Sequence, residues 1–343
     1  MQDPPQPPNK SLGKPINSLV NSHFKVHQVS YGNRHCSLVN VTVEQQYQGL
    51  LERLMFSSLT TVPCCVFLYI NGIMLFSLRS KTVFRETSRY ILLFNLLFAD
   101  SIQMVFSQVL YILAACLIKM SYPLCGILSV VGVLTSDISP LTLVVMSLER
   151  YVAVCYPLRH AAVITIRNTG LMISVIWAFS LLSGLIRVSL VNYPELKGLQ
   201  MEEFCSSITL FVGPLSDTYD RAYTCCLFVS AGVAIVFSYI GVTVVARLAS
   251  TDKTSSQKAR NTLLLHLVQL GLSLSSTVYN PLLVALTRIV TRIVLIRFQI
   301  ALYVCFFILP RCLSALIYGI RDQLIRPVLS YYICFQFTLI LSS

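Results

Sequence analysis

The chain has 343 residues, 55% hydrophobic and 12% charged, with a net charge of +12 and a mean hydropathy of +0.71. Soluble domains carry about 25% charged residues, so a soluble fold of this length is excluded and a bilayer is the place for so much apolar surface. The basic residues are spread along the chain with no aromatic-interleaved patch, which excludes a nucleic-acid binder.

Taken in chain order, the first fifty residues are polar and open on MQDPPQPPNK. Residues 1–52 read as a disordered tail. They lack a charged start followed by an apolar core and a small-residue cleavage site, so the first span is expected to target the membrane itself. Two glycosylation triplets fall there, Asn9-Lys10-Ser11 and Asn40-Val41-Thr42; such triplets also arise by chance.

A membrane-spanning helix takes about 20 mostly apolar residues. Seven windows qualify: 54–78, 90–118, 120–148, 168–191, 222–246, 261–287 and 298–320. The fold expected is an all-α seven-helix membrane bundle over 53–320, with a short tail over 321–343. Lys and Arg orient it. Thirteen lie in the first, third and fifth connections and the last tail, against seven in the opposite loops. The first side is therefore expected to be cytoplasmic and the N-terminus outside. The net charge reads as membrane topology.

Of twelve cysteines, eight fall within or at the ends of the spans, where they serve as small core residues. Cys125 and Cys205 fall on the outer side by this topology, where a bridge can form. No C-x-x-C or Cys/His cluster suggests a metal, and no span repeats another, unlike repeat-built transporters.

The third span ends on SLERYVAVCYPLRH, residues 147–160. Arg150 beside Glu149 can form a latch that holds a cation at the helix end until something competes. The alternative is a pair of interface anchors.

MSLERYVAVCYPLRH resembles the third-helix motif of rhodopsin-like (class A) G-protein-coupled receptors. It is nearer still to the odorant-receptor form, M-A-x-D/E-R-Y-V-A-I-C-x-P-L-x-Y. Further matches follow in order: Asn71 in YINGIML, Leu96 and Asp100 in LLFNLLFAD, Trp177, Ser238-Tyr239, KARNTLLLHL, and PRCLSALIYGIRDQLIRPVL. FRETSRYILLFNLLFAD and ALIY resemble fish-type odorant receptors. The resemblance spans roughly residues 50–330.

The resemblance implies a plasma-membrane receptor, expected in the cilia of olfactory neurons. A small, water-soluble odorant would enter from outside, and a stimulatory olfactory-type G protein would raise cyclic AMP. Glu149, Arg150, Tyr151, Tyr239 and Tyr318 would serve coupling, and Cys125 and Cys205 would form a disulfide. Asp100, Ser139 and the seventh-helix Asn would hold a sodium ion. Here that Asn is Ser314, with Arg311 one turn away, so Arg311 is expected to replace the ion and pair with Asp100. The alternative for Arg311 is contact with headgroups or with water inside the bundle. The Asn-Pro-x-x-Tyr motif is reduced to Tyr318, and Pro310 could supply the missing kink.

An ionisable residue inside a span is a functional candidate. Asp137 lies 13 residues before Arg150, about 20 Å along the helix, with Gly132, Val133 and Ser136 beside it. It could face a ligand amine or a neighbouring helix's hydroxyl. Arg187 and Arg297, with Arg288 and Arg292, would make an electropositive outer rim that steers anions, or would meet headgroups. His266 could be a pH-sensitive group, and its place near the cytoplasmic half favours a packing or state-stabilising role over ligation.

Two other readings are open: a class A receptor for a non-olfactory small molecule, lipid or peptide, and a seven-helix channel or transporter. Asp100 and Asp137 are too few to line a path. The five histidines form no catalytic constellation, so neither an enzyme nor a cofactor is expected.

Overall fold

The computed structural model describes residues 35–190 except 117 and 119, residues 214–249, isolated positions between 261 and 300, and residues 300–331 except 323, 328 and 329. Contacts divide the chain into two units, Met1–Glu52 and Arg53–Ser343. Helix α1 covers His35–Ser80. It therefore begins inside the stretch expected to be disordered. The prolines of that stretch all lie within its first fifteen residues, so no proline interrupts the helix between His35 and Glu52. Asn40 is on this helix; Asn9 lies outside the described residues.

The second unit continues with α2 (Thr82–Arg85), α3 (Ser88–Ala115), α4 (Tyr122–Cys155), α5 (Pro157–Val163), α6 (Ile166–Ser189) and α7 (Pro214–Ala249). A π-helical turn, Tyr303–Ile308, then leads into α8 (Leu309–Arg321). Six of the described helices are long and apolar enough to cross a membrane: Leu54–Ser80, Ser88–Ala115, Pro123–Cys155, Ile166–Ser189, Thr218–Val245 and Ile300–Gly319. In the remaining window, 261–287, every described position is helical.

Local chemistry sets the breaks. Pro157 cannot donate to a continuing helix but suits a first turn, so α4 stops at Cys155 and α5 starts at once. Thr165 caps α6 by accepting from the Asn168 N–H at 3.2 Å. Pro310 lacks an N–H, and its ring presses on the carbonyl four residues back. The wider π turn just before it gives that carbonyl room.

Helix α4 is the hub, packing on α3, α6 and α7. The main core joins Met74, Leu92, Leu93, Leu96, Leu97, Leu143, Met146, Ile235 and Tyr318. Leu171, Val175, Leu182 and Leu185 of α6, and Val229, Val233 and Ile240 of α7, are exposed. Such faces suit lipid.

Lipid tails are as apolar as leucine, so association in a bilayer leans on close packing and hydrogen bonds. One chain of bonds ties three helices. Trp177 Nε1 donates to Asn95 Oδ1 at 2.9 Å, Asn95 Nδ2 donates to Thr142 Oγ1 at 3.0 Å, and Thr142 Oγ1 donates to the Ile138 carbonyl at 2.7 Å. Asn95→Leu breaks two of these bonds and strands the Trp177 N–H. It should cost about 1–3 kcal/mol, lowering the unfolding temperature of the detergent-solubilised protein by several degrees, and by more than Trp177→Phe.

Candidate functional site

Three groups of charges lie within or at the ends of the spans. The first joins α3 to α8. Asp100 and Arg311 are both buried, with Arg311 Nε 3.5 Å from Asp100 Oδ1. Ser139 Oγ of α4 donates to the same carboxylate oxygen at 2.5 Å, and Arg311 Nη1 donates to the Phe307 carbonyl of the π turn at 3.1 Å. The guanidinium also lies 4.1 Å from the Phe307 ring centroid, a cation–π contact. The π turn thus gives Arg311 both a carbonyl and a ring. Asn71 donates instead to Ser101 Oγ, at 3.2 Å. Ser314 is on α8, but its side chain is outside the described set.

The second group joins α4, α6 and α7. Arg187 is 6% exposed, so it belongs to the bundle interior and not to a rim. Its Nη1 donates to Asp137 Oδ2 at 3.3 Å and to Ser183 Oγ at 3.1 Å, and its Nε donates to Asp220 Oδ1 at 2.6 Å. Tyr223 OH donates to Asp137 Oδ2 at 3.0 Å. The rings of Tyr223 and Tyr219 lie 4.8 and 5.8 Å from the guanidinium carbon. Asp137 therefore meets a hydroxyl of a neighbouring helix and, in addition, a cation. Gly132, Val133 and Ser136 are half-buried on the preceding turns of α4. A Cβ added at Gly132 would meet nothing within 4 Å, so there is space beside it. Arg288, Arg292 and Arg297 are outside the described residues.

The third group is at the other end of α4. Arg150 Nε is 3.1 Å from Glu149 Oε2, and His160 Nε2 is 3.8 Å from Glu149 Oε1. Tyr151 packs onto α7, edge-on to Tyr156 at 6.0 Å and tilted against Phe237 at 5.8 Å. Gly241 makes that possible. A Cβ there would stand 3.0 Å from Tyr151 Cδ2 and closer still to Cε2. Tyr318 is buried, its hydroxyl 3.8 Å from Met146 Sδ of α4. Tyr239 is half-buried on α7.

Asp322 was not among the candidate residues. It follows α8 and is buried. Tyr90 OH donates to both of its carboxylate oxygens at 3.2 Å, and Arg89 Nη2 lies 3.4 Å away. The Leu324 N–H donates to Oδ1 at 3.0 Å, and the Asp322 N–H caps the Tyr318 carbonyl at 3.1 Å. The start of α3 is thereby tied to the end of α8. The one available signal was an acid in the otherwise basic stretch GIRDQLIR.

At the opposite end Cys125 is fully buried and disulfide-bonded. Its partner is outside the described residues, as is Cys205. Among the described residues no three His, Cys, Asp or Glu side chains group as metal ligands do.

A bundle of long apolar helices, a Glu-Arg-Tyr at one end and a paired acid in mid-span define a seven-transmembrane receptor. The family model for the 7 transmembrane receptor (rhodopsin family) matches residues 70–318, and the chain belongs to that family. Within it, the chain belongs with the odorant receptors. It is 35% identical over 269 residues to odorant receptor 131-2 of Danio rerio, covering 78% of this chain and 82% of that one. Olfactory receptor 8A1 and olfactory receptor 2H1, both of Homo sapiens, are 30% and 31% identical over 146 and 142 residues. Each match covers 40% of this chain and under half of the relative. Membership makes the chain a multi-pass membrane receptor that answers a small molecule and couples to a G protein, and not an enzyme.

Removing one partner of a buried ion pair costs about 3–5 kcal/mol. Arg187→Ala strands Asp137 and should largely abolish surface expression. Asp220 is partly exposed, and Asp220→Asn should reduce expression by less than about half, since exposed pairs contribute only ~0–1 kcal/mol. Flow cytometry on an N-terminal epitope compares the two.

Proposed function

We propose that this chain is an odorant receptor of the plasma membrane, its N-terminus outside, working in the cilia of olfactory neurons. It takes a small, water-soluble odorant from outside and activates a stimulatory, olfactory-type G protein, which raises cyclic AMP. The observation that carries this is the Glu149–Arg150 pair, held at 3.1 Å at the end of the hub helix and flanked by Tyr151, packed against Phe237 of α7, and by Tyr318 of α8.

Mechanically, the pair holds the guanidinium back. When the helices carrying Tyr239 and Tyr318 shift, Arg150 leaves Glu149 and becomes part of a pocket for the G protein. Tyr151, Tyr239 and Tyr318 close around the inserted segment. Deeper in the bundle, Arg311 serves Asp100 as its built-in cation, in the place of a bound sodium ion. Ser139 holds the acceptor still, and Ser314, in the place of the motif's Asn, belongs to the same polar network in this reading.

On the ligand side, Gly132, Val133, Ser136 and Asp137 of α4 supply the floor together with Arg187, which pairs with Asp137, and Arg297 would serve nearer the mouth. Asp137 is already paired with Arg187 and Tyr223. A charged ligand therefore binds by exchange, an amine with Asp137 or an anion with Arg187. A disulfide from Cys125 to Cys205 would tie the long outer loop to α4. Asn40 and Asn9 would carry glycans.

Cells expressing the chain should raise cyclic AMP to one of four pools: amino acids, bile salts, nucleotides or amines. Arg150→Ala should abolish the response at unchanged surface level. A receptor present at the surface and silent to every pool, with a promiscuous Gα as well as the stimulatory one, would overturn this reading.

A further inference from the structure

His160 stands where the odorant-receptor motif quoted above ends on Tyr, and nothing so far gives it a role. It occupies the first turn of α5, which the proline break places directly beneath the end of α4. Its backbone is fixed at both sides. The His160 N–H donates to the Tyr156 carbonyl at 2.9 Å, and the Ile164 N–H donates to the His160 carbonyl at 2.8 Å.

The imidazole is half open and half closed. The side chain is 36% exposed, so a proton can reach it. Yet Nε2 is a buried atom with no hydrogen-bond partner, directed at Glu149 Oε1 from 3.8 Å. That is too long for a hydrogen bond from a neutral ring and within reach of an ion pair once the ring is charged. The carboxylate is thus divided, Oε2 toward Arg150 and Oε1 toward His160.

The charges around the pair decide the direction of the effect. Helix α4 brings Glu149, Arg150, Tyr151 and Cys155, and α5 brings Arg159 and His160, with Tyr156 between them. Helix α3 brings Arg89 and Tyr90, α8 brings Tyr318, and α7 has Tyr239 at the same end. Asp322 is committed to Arg89 and Tyr90. Among these described groups Glu149 is the acid that remains. With His160 neutral, Glu149 and Arg150 cancel. With His160 charged, one carboxylate serves two cations that repel each other. Arg150 is poorly placed to resist, because its Nη2 is buried without a hydrogen bond.

We propose that His160 is the third member of the latch, and that its protonation loosens the Glu149–Arg150 pair, so that basal coupling rises as cytoplasmic pH falls. Histidine is the side chain whose ordinary titration range covers that of the cytoplasm. This inference rests on the coupling reading above.

The test uses the full chain in lipid nanodiscs with the G protein it activates. Basal nucleotide exchange is read at pH 7.5 and 6.0 and divided by that of His160→Gln at the same pH, which cancels the G protein's own pH dependence. The ratio should rise about threefold toward pH 6.0, the scale of a half-exposed charge pair. His160→Arg should be raised at both pH values, and Glu149→Gln should remove the pH dependence. If His160→Gln does not fold, His160→Tyr, the motif's own residue, replaces it as the reference. Exchange that is present but gives a flat ratio overturns the role of His160 alone. No exchange from wild type or Glu149→Gln at either pH overturns the coupling reading, and this inference with it.

Discussion

A carboxylate from α3 and a guanidinium from α8 meet inside the bundle, each about one-twentieth exposed, and much of the geometry at the Glu149 end follows from that meeting. Neither charge could stay ionised alone at this depth. Together, and with the Ser139 hydroxyl donating to Asp100 and the Phe307 carbonyl accepting from Arg311, they hold two helices in one register. Arg311, Ala315, Tyr318 and Asp322 are all buried, and their spacing of four, three and four puts them on one face of α8 and the residue after it. Fixing Arg311 therefore aims Tyr318 at Met146 and brings Asp322 to Arg89 and Tyr90.

The other charged groups join different helices. Arg187 brings together α4, α6 and α7 through two acids, while Glu149 and Arg150 are neighbours on α4 and, among the described residues, their ion pairs reach only α5. The contrast has a physical consequence. The first kind of contact costs much to break, because a buried charge is left behind. The second sits at the membrane–water edge, where a freed arginine can find solvent, so it is the one suited to opening in use. Tyr151 adds a packing contact between helices. Its ring fills the space that Gly241 leaves by having no side chain, so the hub helix and α7 can approach there without a fixed bond.

Much of this could be read in the sequence, for identifiable reasons. The spans followed from runs of apolar residues, and Asp100, Asp137, Arg150 and Arg311 stood out because ionisable groups are rare in such runs. Sequence depth does not give direction around a helix. Arg187 lies near the end of its window and looked like a rim residue, yet Asp137 and Asp220, from two other helices, turn it inward. Asp322 was hidden for the same reason, since its partners are 232 residues away along the chain. The π turn before Pro310 could not be read from residue periodicity, because it shows only when the carbonyls are traced. The helical assignment from His35 onward falls in a stretch whose polar composition carries no apolar helical pattern to read.

The measurement that bears most directly on the buried pair is a double substitution. Surface level and thermal half-inactivation would be compared for wild type, Arg311→Ala, Asp100→Asn and the two together. If the pair is the anchor, Arg311→Ala loses about 3–5 kcal/mol and nearly vanishes from the surface, because it leaves the Asp100 carboxyl buried without its counter-charge. The double variant then recovers a large part of the loss, because neither charge remains. A double variant no better than Arg311→Ala would contradict the pairing and leave Arg311 a residue held by Phe307 alone.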